Sequence, residues 1–285
     1  MTRIAYVNGE FVPLAEARIS VLDRGFVFAD GIYEVSAVLG GKLVDNDSHL
    51  NRLERSVGEI RLALPVSRAR LVEIERELIR RNGLDEGMVY MQVTRGAADR
   101  EFTFPKEAPT PTLVAFTQAK GIVASPAAKT GIKVKTVPDL RWARCDIKSV
   151  ALLAQVLAKQ AAAEAGCQEA WMVKDGFVTE GGSSSAFIVT RDNVVVTRPN
   201  SNAVLPGCTR KALLALAAEG RISVEERLFS VEEALGAAEA FMTSASTFVY
   251  PIVEIDGRPV GAGKPGPVAT RLREIYIDFA RATAV

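Results

Sequence analysis

The stretch Arg144-Cys145-Asp146-Ile147-Lys148-Ser149 runs into Leu152, Leu153, Val156, Leu157 and Ala161 and stops at Gly166. These apolar residues recur at helical spacing, so the stretch predicts a helix that opens at about Lys148 and ends at the glycine. A lysine at a helix start, held by packing on both sides, differs from the usual solvated lysine. Lys148 is therefore the candidate for covalent chemistry.

Downstream, Glu169–Val173 and Phe177–Thr179 flank the turn dipeptide Asp175-Gly176, and Ala186–Val189 and Val194–Val196 flank Asp192-Asn193. Both read as β-hairpins. A helix follows Pro206-Gly207-Cys208-Thr209, and Ser230-Val231-Glu232-Glu233 is a capping-box pattern. A strand over 240–243 and a terminal helix through Val268, Leu272, Ile275 and Phe279 complete this half.

Upstream, hairpins are expected about Asn8-Gly9 and Gly40-Gly41, and the stretch from Asp23 to Val35 reads as a shaped loop entering a strand. Leu50, Leu53, Val57 and Ile60 predict a helix from Ser48, with Arg52 and Arg55 off its apolar stripe. A second helix is expected from the cap Ser67 to the stop at Asn82-Gly83. Strands follow at 88–94 and 113–116. Helices and strands mix without strict alternation, which makes the chain α+β. Weak patterning around Pro126 divides it into domains at 1–120 and 131–285, with residues 121–130 as linker.

With 285 residues, 48% hydrophobic and 24% charged, the composition is that of a globular chain. Its net charge of +1 offers no field for nucleic acid or an anionic membrane, which leaves small molecules and other copies of itself as partners. No apolar stretch has the length of a membrane span, and the N-terminus has no apolar signal core, so the cytoplasm is expected. Cys145, Cys167 and Cys208 fit neither a disulfide framework nor a metal motif, and His49 is the only histidine. No metal site is expected.

Two motifs mislead. Gly261-Ala262-Gly263-Lys264-Pro265-Gly266 matches G-x-G-x-x-G, but its prolines make it a loop and it lies outside any βαβ unit. Gly181 to Ser185 begins like a nucleophile elbow yet lacks the closing glycine and a later histidine. Gly207-Cys208-Thr209 is better placed, because free N–H groups at a helix start attract phosphate. That turn, the acid Glu180 at a strand end and Lys148 suggest pyridoxal 5′-phosphate (PLP), which takes a lysine Schiff base and a carboxylate at its ring nitrogen.

The ordered set Arg141-Trp142-x-Arg144-Cys145-Asp146-Ile147-Lys148-Ser149, Ala158-Lys159, Gly166-Cys167-x-Glu169-Ala170, Thr179-Glu180-Gly181 and Gly207-x-Thr209-Arg210 resembles the class IV, fold type IV, PLP-dependent aminotransferases. Within that class the chain is most similar to the D-amino acid aminotransferases. The resemblance implies a two-domain α+β fold with the cofactor at the domain interface, and a ping-pong exchange between D-amino acids such as D-alanine or D-glutamate and 2-oxo acids. It also implies that Lys148 binds the cofactor and shuttles the α-proton while Glu180 keeps the ring nitrogen protonated. Arg52 and the turn Gly207, Cys208 and Thr209 would grip the phosphate, as would Ser244 and Ala245. Leu205 would pack on the ring, with Ser183 or Ser184 near its polar edge. Tyr33, Val35 and Phe102 would line the substrate side, and Arg100 would bind the α-carboxylate, contributed by the neighbouring subunit of a homodimer.

Three positions depart from the resembled pattern. Arg100-Glu101-Phe102 stands where Arg-x-His is usual, Ser244-Ala245 where a threonine is usual, and Ser185 where asparagine is frequent. They leave open an R-selective amine transaminase. A 4-amino-4-deoxychorismate lyase and a non-catalytic PLP-binding protein remain as readings from other classes.

Overall fold

The computed structural model describes residues 2–285, which fall into two compact units. The first runs to Gly121 and takes in two returning segments, Ile147–Ala151 and Ala280–Val285. The second comprises Ile122–Asp146 and Leu152–Phe279. The break at Gly121 falls inside the expected linker, but the rest of that linker is ordered in the second unit and carries a short helix. The returning segments depend on tertiary pairing, which local patterning does not report.

The first unit contains β1 (Ile4–Val7), β2 (Glu10–Pro13), α1 (Arg24–Phe28), β3 (Gly31–Leu39), β4 (Lys42–Val44), α2 (Asn46–Glu59), α3 (Arg68–Asn82), β5 (Glu86–Thr94) and β6 (Thr112–Ala119). Its sheet has the order β2-β1-β6-β5-β3-β4, antiparallel throughout. Asn8 and Gly9 turn the first hairpin at positive φ, as do Gly40 and Gly41 the second. Ser67 caps α3 by accepting from the Arg70 amide, and Gly83 ends it in the left-handed conformation. Leu50, Leu53 and Val57 of α2 join Leu71, Ile74 and Leu78 of α3 in the core. Burying such side chains stabilises by about 1.5–3 kcal/mol each. Strand alternation then divides β3: Tyr33 and Val35 are half-buried, while Glu34 and Ser36 point the other way and are buried.

The second unit contains α4 (Pro126–Thr130), β7 (Ile132–Pro138), α5 (Leu153–Glu164), β8 (Glu169–Lys174), β9 (Phe177–Gly181), β10 (Ser185–Val189), β11 (Val195–Thr197), α6 (Cys208–Glu219), β12 (Val224–Glu226), α7 (Val231–Gly236), β13 (Glu239–Ser244), β14 (Phe248–Ile255), β15 (Arg258–Pro259) and α8 (Pro267–Thr283). Its sheet runs β12-β11-β10-β13-β14-β7-β8-β9, with β15 on β14. The contacts β11/β12, β14/β7 and β7/β8 are parallel, so the sheet is mixed.

Lys148 does not open a helix. The Tyr33 amide donates to the Lys148 carbonyl at 3.0 Å, the Val150 amide donates to the Gly31 carbonyl at 3.0 Å, and Ser149 bridges Ile32. This segment is committed to β3, and α5 starts only at Leu153. The face of α5 also differs from expectation. Ala158 and Ala162 pack on Ala170 and Met172 of β8, while Leu153, Val156 and Leu157 are exposed. The helix lies on the sheet by its small residues.

The G-x-G-x-x-G match is the loop entering α8. Both Glu239 oxygens accept there, from the Val268 amide at 2.9 Å and the Ala269 amide at 2.8 Å. A Cβ at Gly266 would fall 2.0 Å from the Glu239 carboxyl carbon, so glycine is required for this contact and the helix start is already occupied. Among the described residues no helix is long and apolar enough to cross a membrane.

Candidate active site

In the first unit, pairing of residues 148–150 with β3 places Lys148 Nζ 4.0 Å from the centre of the Tyr33 ring. The lysine amide donates to Ser56 Oγ at 3.4 Å. Tyr33 in turn stacks on Tyr90, and Tyr90 on Phe116. Burial raises the Tyr90 hydroxyl pKa, so it stays protonated while donating to Gln92 at 2.7 Å. Lys148 thus emerges beside an aromatic wall, and among the described residues no carboxylate pairs with it. Val35 shares the Tyr33 face of β3.

Arg52 is buried, although the helical pattern put it off the apolar stripe. The reason is Glu34. Arg52 Nε donates to Glu34 Oε1 and Nη2 to Oε2, each at 2.8 Å, and His49 Nδ1 lies 2.9 Å from Oε2. Burial alone would raise the Glu34 pKa, but Arg52 and His49 outweigh it and hold the carboxyl far below the usual range. A bidentate fork of this kind fixes the guanidinium plane. The sequence reading missed Glu34; its signal is an acid at an inward position of β3 facing an arginine-bearing helix.

Arg100 lies over two rings, 5.3 Å from the Phe28 centre and 5.5 Å from that of Phe102. Phe102 is 79% exposed. Arg24 ties this loop down, donating to the Glu101 carbonyl at 2.6 Å and to Asp30 at 2.8 Å. Arg95 adds a second ion pair to Asp30, and the two arginines lower that carboxyl pKa despite its burial.

In the second unit Glu180 ends β9 and is buried against Arg141, which donates to its Oε1. Arg141 also pairs with Asp139 at 2.7 Å and donates to the Ala203 carbonyl at 3.1 Å. These carboxylates raise the Arg141 pKa against its burial, and Asp139 is lowered by the same contact. The Leu205 amide donates to Glu180 Oε1 at 3.1 Å, so Leu205 is fixed beside this acid. Arg141 was quoted in the motif without a role; the structure gives it one.

Gly207 caps α6 without any side-chain hydrogen bond to the first amides, and Cys208 and Thr209 are buried in its first turn. A Cβ at Gly207 would stand 2.8 Å from Ser185 Oγ. Thr243, the register partner of Ser185, has a buried Oγ1 with no partner. Ser244 Oγ is 2.8 Å from Thr247 Oγ1, and Ala245 follows it in the turn to β14. Ser183 and Ser184 turn to buried Glu169, at 3.5 and 3.0 Å, and Glu169 is paired with Lys159 at 3.0 Å. Their hydroxyls therefore have a partner that the resemblance did not foresee.

The residues thus fall into two sets. Lys148, Tyr33, Val35, Arg52, Arg100 and Phe102 belong to the first unit, and Glu180, Ser183, Ser184, Leu205, the 207–209 turn, Ser244 and Ala245 to the second. No disulfide joins the three cysteines, and burial pushes the Cys145 thiol up to about 11. Among the described residues no cluster of three or more metal-ligating side chains occurs.

A lysine over a tyrosine and an arginine clamped by an acid in the first unit, with a carboxylate clamped by an arginine and a glycine at a helix start in the second, are the candidate PLP-binding elements. The pattern of the class IV amino-transferases matches residues 31–255, and the chain belongs to that family. Among its relatives, a D-alanine aminotransferase of Staphylococcus aureus (strain MSSA476) is 40% identical over 274 residues, 96% of each chain. One of Bacillus licheniformis is 38% identical over 93% of each chain. The crystal structure of the T.th. branched-chain amino acid aminotransferase with pyridoxamine 5′-phosphate superposes with a TM-score of 0.92. It is 26% identical, with 99% of this chain and 95% of that one covered.

Proposed function

We propose that this chain exchanges an amino group between a D-amino acid and a 2-oxo acid, in two half-reactions, with PLP as cofactor. The observation that carries this reading is the 40% identity to D-alanine aminotransferases over nearly the whole of both chains. The residues present fit the cofactor. The α6 start lacks a side-chain cap, Gly207 leaves room where a Cβ would clash, and Thr243 Oγ1 is a buried hydroxyl without a partner.

When bound, PLP supplies a covalent link for an amine and a ring that accepts the electrons left behind by the α-proton. Lys148 Nζ would hold it covalently and, once freed by the donor amine, would take the proton from the donor Cα and deliver it to the cofactor. Tyr33 orients that nitrogen. Glu180, ion-paired with Arg141, would hold a proton on the ring nitrogen. Arg52, fixed by Glu34, is the candidate to bind the phosphate in the first unit, and the Gly207–Thr209 turn and Ser244 are the candidates in the second. Arg100 binds the α-carboxylate, for which a guanidinium fork is suited.

We also assign a homodimer, which would cover Leu153, Val156, Leu157, Leu140 and Trp142 in the second unit and Val21, Phe26 and Phe102 in the first, all exposed in the single chain. The unlinked cysteines favour the cytoplasm.

The reading is tested by one half-reaction, in which the holoenzyme is mixed with D-alanine, L-alanine or an R-amine and the visible absorbance of the bound cofactor is followed. Change with D-alanine and none with L-alanine is expected. Change with L-alanine alone would overturn the stereochemistry, and change with none of them the transaminase reading.

A further inference from the structure

α3 carries one residue out of keeping with its apolar face. Leu71, Ile74 and Leu78 are fully buried, and between them stands Glu75, 2% exposed. Its surroundings are polar. Asn46 Nδ2 of α2 donates to Glu75 Oε2 at 2.8 Å, and Ser36 Oγ of β3 donates to Asn46 Oδ1 at 2.9 Å. The three side chains form a chain, Ser36 O–H to Asn46 Oδ1 and Asn46 N–H to Glu75 Oε2. Ionising Glu75 leaves a carboxylate in an apolar core.

The charged groups facing Glu75 are Glu34 on β3 and His49 on α2, while Asn46 and Ser36 are its neutral neighbours. Glu34 and His49 are the partners of Arg52. Ser36 shares the buried face of β3 with Glu34, and Asn46 lies one turn before His49 on α2, so Glu75 stands behind the Arg52 clamp. Arg52 neutralises Glu34, but no cation is dedicated to Glu75, and burial together with the Glu34 charge pushes its pKa up to about 7. Arg52 itself is 8% exposed, so water screens this cluster little.

We propose that Glu75 is a positioning residue for the phosphate grip: neutral, it leaves the positive charge of Arg52 undiminished toward the cofactor phosphate, and ionised, it draws that charge inward and loosens the grip. The inference rests on Arg52 binding the PLP phosphate. The sign follows from the raised pKa. Below pH 7 Glu75 is neutral and the grip is full, and as pH rises through 7 the added negative charge weakens it. Replacement by glutamine keeps the Asn46 contact and removes the titration.

PLP is titrated into the full-length chain stripped of cofactor, between pH 6 and 9, with pyridoxal, which lacks the phosphate, in parallel. Binding is read by tryptophan fluorescence and visible absorbance. Glu75→Gln and the native chain should bind PLP equally at pH 6, and the variant should bind about three- to tenfold more tightly at pH 9, the size expected for one charge roughly 10 Å away through a protein interior. Pyridoxal should show no such divergence. Ser36→Ala, a milder change that frees the Asn46 amide whose Nδ2 donates to the Glu75 carboxyl, should move the midpoint to higher pH, so the test does not depend on the Gln variant folding. Superimposable profiles for the native and variant chains would overturn the proposal. Equal divergence for pyridoxal would also overturn it, by showing a structural effect. Failure of the native chain to bind PLP at any pH would instead overturn the functional reading, and this inference with it.

Discussion

Two buried carboxylates, Glu34 in the first unit and Glu180 in the second, meet their arginines in different company. Arg141 stands between Glu180 and Asp139, so one guanidinium is shared by two acids and locked by them. Arg52 answers Glu34 with a full fork, but behind that pair lies Glu75, an acid held only by an amide. Both arrangements pair a buried carboxylate with an arginine. Only the Arg52–Glu34 arrangement has a second acid beside it that stays protonated up to about pH 7. A buried charge needs its own partner, and an acid without one holds its proton instead.

The comparison can be broken in several places. Lys148→Ala should remove the covalent link and the proton carrier, lowering transamination by more than about 10³-fold, consistent with the loss of a general base and a nucleophile. Retained turnover would place the chemistry elsewhere. Arg141→Ala and Glu34→Ala each leave a buried charge without its partner and should cost about 3–5 kcal/mol of stability, measured by chemical unfolding. If Arg141→Ala proved neutral, the two clusters would not share a physical basis.

Glu75→Gln sharpens the contrast through pH. The folded-state pKa of Glu75 is raised to about 7, so its contribution to stability is full below the unfolded value near 4.5 and is lost as pH rises through about 7. The glutamine variant should gain on the native chain between those values, by about 2–4 kcal/mol at pH 8. Urea unfolding at pH 4.5 and pH 8 checks this. A constant difference between the two pH values would show that Glu75 does not titrate there. The smallest effect concerns the exposed loop. Arg100→Ala should raise KM for D-amino acids about tenfold, the loss of one charge-assisted contact, with a smaller change for R-amines. Equal losses would remove its role at the carboxylate.

How much of this could be read from the chain depends on distance along it. Hairpins turned by Asn8-Gly9 and Asp175-Gly176 and the caps at Ser67 and Ser230 were legible because their causes lie within a few residues. Lys148 and Glu180 stood out by motif. The helix at Lys148 was misread because its backbone is claimed by β3, more than a hundred residues earlier, and pairing at that range leaves no local period. Arg52 looked like a surface arginine because helical spacing reports where a side chain points, not what meets it there. Glu34 and Glu75 went unnoticed for the same reason.

The sequence by itself determined the class of architecture, the positions of most turns and caps, and the family-bearing order of Lys148, Glu180 and the Gly207 turn. These rest on local backbone preference and on residues whose chemistry is particular. Tertiary structure alone decided that Lys148 lies on an extended segment beside Tyr33, that Arg52 and Arg141 are each locked by acids, and that Glu75 is buried behind the first of them. The ionisation of a buried group is set by whichever charges the fold brings within a few ångströms of it, and that information exists only when the chain is folded.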